Sequence, residues 1–468
     1  MKWNIFRKQH VKTYLGKDIK FSRTLSAFDL IAMGVGAVIG TGIFILPGTV
    51  AANTAGPGVS LSFLFAAIIC ALAGMCYAEF ASSIPVAGSA YSYGNIIYGE
   101  FVGWLMGWAL VLEYMLSVAT VAAGWSSYFT SFIKPFGLQL PKALSGPFNP
   151  SKGVYFDVVG VAVIILIALL LAQGMKNSIK INNLAVVLKI AIILIFIFVG
   201  LQFIKPANYT PFLPYKMSGV IKGATTVFFA FLGFDVISSS AAEVKNPQKN
   251  MPIGIIGTLA VAVILYMGVS IVLTGMVNYT DLNVANPVSF ALQYVHQNWI
   301  AELLALGAML GMATMMLSMI YSSSRLIYAM ARDGLLPHHL SKFDDKRNTP
   351  QIALIVVTII IALGAAFFSV EQLTNLVSFG TLFAFTLVSF GILKLRKRTD
   401  ITNDGFKVPG YPVIPIISGL FCIFMICQLN KDVFIMAGIW LVIGIVLYFA
   451  YGYNHSQLES KNAEVETE

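Results

Sequence analysis

The sequence predicts an all-α integral membrane protein with about 12 transmembrane helices. Three observations predict it. Only 11% of the 468 residues are charged while 57% are hydrophobic, against about 25% charged residues in a soluble domain. The apolar residues come in long runs: Ala191 to Gly200, Leu259 to Val277 and Ala353 to Phe368 carry no charge at all. And two of the runs, the first and the sixth, are interrupted by glycine at corresponding places, the mark of paired discontinuous helices in a membrane.

The elements follow in order. The first span runs from about Ala27 to Ala52, the second from Val59 to Ser82, the third from Phe101 to Phe129. Phe156 to Gln173 and Asn183 to Phe203 are the fourth and fifth. Gly219 to Ala242, Ile253 to Val277 and Ala301 to Ala329 follow, and the last four begin near Gln351, Gln372, Tyr411 and Val433. Each run approaches the 18 to 25 apolar residues (roughly) that cross the hydrocarbon core, and a helix satisfies its own backbone polar groups where lipid cannot. The organisation expected is an arm over 1–26, five spans over 27–203, five over 219–393, two more over 411–452, and a polar, disordered tail over 453–468.

The net charge of +9 does not describe a nucleic-acid patch, because most of the basic residues sit in loops. Placing the arm (Lys2, Arg7, Lys8, Lys12, Lys17, Lys20, Arg23) in the cytoplasm leaves 21 Lys and Arg inside and 6 outside. That asymmetry puts both termini inside. Cys70, Cys76, Cys422 and Cys427 fall in apolar runs with no metal-ligand spacing. No nucleophile–base–acid set or nucleotide loop is present, so an enzyme is not expected. The polar start has no cleavage-site pattern and is not a signal peptide.

The interruptions carry the chemistry. The first span holds Gly34-Val35-Gly36-Ala37-Val38-Ile39-Gly40-Thr41-Gly42, and the sixth Phe228-Phe229-Ala230-Phe231-Leu232-Gly233-Phe234-Asp235. Unwinding a helix at membrane depth frees N–H and C=O groups, which is tolerated beside a cavity or ligand. A free amino acid complements both ends: its carboxylate suits a half-helix N-terminus, its ammonium the freed carbonyls. Five spans separate the two breaks, which fits two inverted five-helix repeats with a site between them. Small-xxx-small packing is the alternative for Gly36 and Gly40 taken alone.

At these residues the sequence resembles the amino acid–polyamine–organocation superfamily of permeases, in particular the cationic amino acid transporter family and its bacterial relatives. Three further motifs carry the resemblance. They are Tyr77-Ala78-Glu79-Phe80 with Pro85-Val86-Ala87-Gly88-Ser89-Ala90-Tyr91-Ser92-Tyr93, Glu243-Val244-Lys245-Asn246-Pro247-Gln248, and Ser324 to Pro337. The resemblance covers nearly the whole chain. It implies a LeuT-type core of ten helices plus two peripheral ones, alternating access, and amino acid uptake across the plasma membrane. It implies that Val38, Ile39, Gly40, Thr41 and Gly42 hold the substrate carboxylate and part of the ammonium. Phe228, Phe229, Ala230 and Leu232 would complete the ammonium site and wall the side chain. No cofactor is implied beyond a proton as coupling ion, and the partners are an L-amino acid and the lipid bilayer, not nucleic acid. Nothing in the residues names a small membrane-protein partner.

Lys189 lies in the fifth span, where a charge costs about 2.5 to 3.5 kcal/mol on insertion scales. Snorkelling is one reading, since Lys189 is six residues from Asn183, or roughly 9 Å. The resemblance implies the other: a fifth-span ammonium takes the place of a sodium ion and bonds first-span carbonyls near Gly36. Burial disfavours a charged amine, which links its proton to opening and closing. Glu113 on the third span is read as a partner of Lys189, as a contact for a cationic substrate, or as a structural hydrogen-bonding group. Asp235 and Glu243 are expected to pair with local basic groups. Met319 on the eighth span either walls the side-chain pocket, favouring small or apolar substrates, or fills space beside Met309, Met312, Met315 and Met316. The leading expectation is a proton symporter for neutral, small to medium L-amino acids. A cationic amino acid transporter or exchanger is the alternative, and a non-transporting sensor the alternative from another class.

Overall fold

The computed structural model describes residues 7, 23, 25–86, 88–134, 137–138, 140–146, 149–173, 178–344, 347, 349–368, 370–401 and 405–457. Most of the arm over 1–26 and the tail beyond 457 lie outside the described residues. Those described are helical throughout, joined by turns and a few isolated bridges. Eight helices are long and apolar enough to cross a bilayer, and four shorter apolar ones (Ala27–Val38, Val158–Ala172, Gln351–Phe367, Val413–Cys427) accompany them. Many outward-facing side chains are apolar, among them Leu166, Leu169, Ile264, Ile359 and Val446. A surface of that kind faces lipid, so this is a multi-pass membrane protein.

The first span starts at α1 (Ala27–Val38), whose N-cap Ser26 forms a capping box with Asp29. The helix stops at Ile39, which is extended, and Gly40, which is neither extended nor helical, and resumes as α2 (Thr41–Phe44) and α3 (Leu46–Val50). α4 (Val59–Ser83) is the second span. α5 (Ser89–Ile97) is a short helix whose residues are all buried. α6 (Glu100–Ile133), α7 (Val158–Ala172) and α8 (Ser178–Leu201) follow. The sixth span begins as α9 (Lys216–Val227), tightens into a 3-10 turn over Phe228–Phe231, and turns at Leu232 and Gly233 before α10 (Val236–Ser239). Gly233 has φ +105, and a Cβ there would stand 2.8 Å from the Met319 methyl. Left-handed backbone and close packing together require glycine. α11 (Pro247–Met276), α12 (Pro287–Tyr294) and α13 (Asn298–Arg332) precede α14 (Gln351–Phe367), α15 (Val370–Leu395), α16 (Val413–Cys427) and α17 (Lys431–Leu447).

Three sequence expectations are corrected. α5 and α12 were expected as loop; eight or nine residues are too few to register as a span. α11 begins at Pro247, ahead of the expected Ile253, because proline at the first helical position loses no hydrogen bond. The tail expected to be disordered from 453 is held through 457. Gln457 N donates to Asp333 O at 3.0 Å, and Ser456 Oγ donates to Glu100 Oε2 at 2.5 Å. Glu100, fully buried, also takes Arg7 Nε and Nη2, each at 2.8 Å, and Tyr448 OH at 2.9 Å.

Glu79 closes α4 in the same manner. Arg396 grips both its oxygens at 2.8 Å, and Val408 N donates to it at 2.6 Å. This joins the second span to the end of the tenth. Glu79→Ala takes the carboxylate from Arg396, a partly exposed guanidinium that keeps Val408 O, and strips the buried Val408 N–H of its acceptor, at a cost of about 1 to 3 kcal/mol for the unsatisfied donor. Glu79→Ala is therefore expected to lower the melting temperature of the detergent-solubilised protein clearly; an unchanged melt would show that the pair contributes nothing net.

Candidate functional site

The two breaks face each other. A Cβ on Gly42 would stand 2.6 Å from Ala230 Cα, so the backbones nearly touch there. Gly40 is covered by the Met315 sulfur, and Gly124 on α6 receives the Thr41 methyl. Val38, Ile39, Gly40, Thr41, Gly42, Phe228, Phe229, Ala230, Leu232 and Met319 are all buried. Aromatic rings enclose the region: Phe231 and Phe63 lie edge-on or tilted against Tyr266, and Phe228 stands T-shaped on Phe385.

Unwinding at Ile39 and Gly40 exposes carbonyls that α1 would otherwise use. Lys189 Nζ donates to Gly36 O and to Ile39 O, each at 3.0 Å, and lies 3.5 Å from Thr314 Oγ1. Thr314 commits its own proton to Gly311 O at 2.8 Å, so toward the ammonium it presents an acceptor. Lys189 is 0% exposed. The snorkelling reading is corrected by the helix start: α8 begins at Ser178, which puts Lys189 roughly 16 Å along the helix rather than 9. The amine turns inward to carbonyls that would be unsatisfied without it.

Tyr266 on α11 does for the other carbonyls what Lys189 does for these. Its hydroxyl is directed at Ala230 O at 2.6 Å and Val38 O at 3.0 Å. One phenol therefore bridges both unwound segments. The sequence reading missed it, and the signal that would have found it is the tyrosine within the run Leu259 to Val277, since the other polar side chains there, Ser270 and Thr274, can bond back to their own helix. A tyrosine hydroxyl buried at that depth needs a partner. Thr41 Oγ1, buried beside the break, has no hydrogen-bond partner.

Glu113 is not where the pairing with Lys189 needs it. The Lys189 amine is surrounded by first-span carbonyls and Thr314, whereas neither Glu113 oxygen has a hydrogen bond. The nearby Thr381 hydroxyl donates to Val377 O instead. Glu113 lies within electrostatic reach of Asp235. Asp235 also departs from expectation: its partner is not a basic residue but Tyr114 OH, at 2.6 Å. Glu243 does pair with a basic residue, Arg325 on α13, at 2.9 Å. Glu243 O and Lys245 N further bracket Leu25 through bonds of 3.0 and 2.9 Å. The start of the first span, the end of the sixth and the eighth are thus fastened together at one face.

Access is unequal on the two sides. A cavity of about 500 Å³ opens on the face carrying Val50 and Asn430. It is lined by Ile45, Leu46 and Thr49 from the first span and by Lys222, Thr225 and Thr226 from the sixth. It thus reaches to within a turn of both breaks. On the fastened face the cavity beside Arg325, Tyr114 and Ser322 holds about 50 Å³. Among the described residues no group of three His, Cys, Asp or Glu is placed to hold a metal ion.

The chain as a whole is similar to known proteins. The family described as Amino acid permease matches residues 25–452. The chain is 46% identical to the methylthioribose transporter of Bacillus subtilis (strain 168), over 97% of this chain and 99% of that one. It is 44% identical to the branched-chain amino acid permease BcaP of the same organism, over 98% and 100%. It is 38% identical to the vacuolar cationic amino acid transporter 4 of Arabidopsis thaliana, over 83% of this chain and 66% of that one.

Proposed function

The chain belongs to the amino acid permease family of the amino acid–polyamine–organocation superfamily, a family of transporters rather than enzymes, and from that premise we propose that it is a proton-coupled symporter of neutral, small to medium L-amino acids. The reading places it in the plasma membrane with about 12 crossings and both termini in the cytoplasm. Residues 27–203 and 219–393 would be the two inverted repeats of a LeuT-type core, with 411–452 peripheral.

One observation carries the coupling argument: the buried Lys189 amine on Gly36 O and Ile39 O. A charged amine ties α1 to α8 across the break. A neutral amine donates more weakly, since hydrogen bonds from charged donors are about twice as strong. Proton release then loosens α1 and favours opening toward the cytoplasm. Glu113 and Asp235, two buried carboxyl groups within electrostatic reach of each other, would be a second place to hold a proton.

The substrate carboxylate would meet the N–H groups of Thr41 and Gly42 where α2 begins, and the hydroxyl of Thr41 has the free valence to join them. Met319 beside Gly233 narrows the side-chain compartment and favours apolar groups. A relative named for branched-chain amino acids agrees with this. A second reading, transport of methylthioribose, is favoured by the name of another relative; that substrate has neither ammonium nor carboxylate to engage the breaks. The cationic alternative rests on Glu113, whose neighbours are Asp235 and Thr381.

The test is uptake into proteoliposomes of labelled leucine, arginine and methylthioribose under an inward proton gradient, repeated with sodium. Leucine accumulation by protons alone is expected. Arginine uptake that ignores the gradient would favour the cationic exchanger, and methylthioribose uptake without leucine uptake would replace the substrate class.

A further inference from the structure

We propose that the 500 Å³ vestibule is itself an outer binding station for zwitterionic amino acids, with Lys222 receiving the carboxylate and threonine oxygens receiving the ammonium. The proposal rests on the transport reading above. It adds a second stop on the path and a filter against cations.

The argument begins from what the walls can donate and accept. Lys222 is exposed, on α9 and less than two turns before the break at Phe228. Among the described residues it makes no ion pair, and no acidic side chain lines the cavity with it. The threonines have a different valence. Thr49 Oγ1 donates to Ile45 O at 3.3 Å, Thr54 Oγ1 to Val50 O at 3.0 Å, and Thr225 Oγ1 to Lys222 O at 2.6 Å. A hydroxyl whose proton is committed to its own helix offers only lone pairs outward. The walls therefore combine one cationic donor with several neutral acceptors. An α-amino acid presents the complement, one carboxylate and one ammonium. The volume lies within the roughly 300 to 1,000 Å³ of small-molecule sites.

A lone charge in a cleft with low-dielectric walls steers ions of opposite sign and is weakened by salt. Lys222 thus draws in carboxylates and repels the distal charge of arginine or lysine. Discrimination against cationic amino acids begins in the vestibule, before Met319 is reached.

The test pairs leucine uptake into vesicles with calorimetric leucine binding to the purified full chain, for wild type, Lys222→Gln, Lys222→Arg and Lys222→Glu. At low ionic strength Lys222→Gln is expected to raise KM and Kd about tenfold and to abolish their salt dependence. Lys222→Arg should restore both, and Lys222→Glu should let arginine inhibit leucine uptake. Unchanged KM, Kd and salt dependence in Lys222→Gln would overturn the station while leaving the transport reading intact. Wild-type protein that binds leucine in a Lys222-dependent manner but transports none would overturn the transport reading alone. Absence of leucine binding to wild type overturns the station outright.

Discussion

Vesicles carrying Lys189→Ala are expected to lose proton-driven leucine accumulation by at least about tenfold. The amine makes two bonds to backbone carbonyls in a site closed to water. A hydrogen bond from a charged donor contributes about 1.5 to 3 kcal/mol, and each 1.4 kcal/mol is roughly a factor of ten in an equilibrium. Alanine leaves Gly36 O and Ile39 O without a donor and leaves α1 untied from α8. Exchange of labelled for unlabelled leucine at equal pH should persist, because exchange needs the site but not the proton. A variant that folds, by its melting curve, yet accumulates leucine fully would move coupling to Glu113 and Asp235. The companion Lys189→Arg keeps the charge but not the compact head, and the Lys189 stem packs closely on Gly311, where an added Cβ would stand 3.3 Å from Lys189 Cδ. Arginine is therefore not expected to rescue coupling.

The second large effect is expected from Tyr266→Phe. The ring stays, with its contacts to Phe63 and Phe231, so packing changes little. What goes is the one hydroxyl directed at both Val38 O and Ala230 O. A buried carbonyl stripped of its donor costs about 1 to 3 kcal/mol. The two unwound segments should then lose their mutual register. KM for leucine is expected to rise about tenfold or more, with the melting temperature shifted little. A fall in KM would mean that the hydroxyl competes with the substrate ammonium for these carbonyls rather than positioning them.

Much of the fold is legible from hydrophobic run length, because lipid makes the rule strict: an uncharged run of about 20 residues has few alternatives to a helix. The position of each interruption is legible too, since Gly40 and Gly233 stand where the chain leaves helical geometry. Less visible was what satisfies the freed carbonyls. Tyr266 is 228 residues from Val38, and no local pattern ties them. Glu113 shows the opposite failure. Charge complementarity on paper suggested Lys189, but backbone carbonyls had already claimed that amine. α5 stayed hidden because burial by neighbouring helices, rather than apolar length, stabilises a nine-residue helix with five polar or tyrosyl positions.

The cluster around Glu100 has a consequence for how the protein is made. Arg7 leaves the ribosome long before Tyr448 and Ser456. Until residues 448 and 456 are synthesised, the Glu100 carboxylate at the start of α6 lacks two of its donors. The knot therefore ties last, after the final span has entered the membrane. A chain halted before residue 448 would leave the Glu100 carboxylate without the Tyr448 and Ser456 hydroxyls, so the seal between α6 and the last span depends on these final contacts.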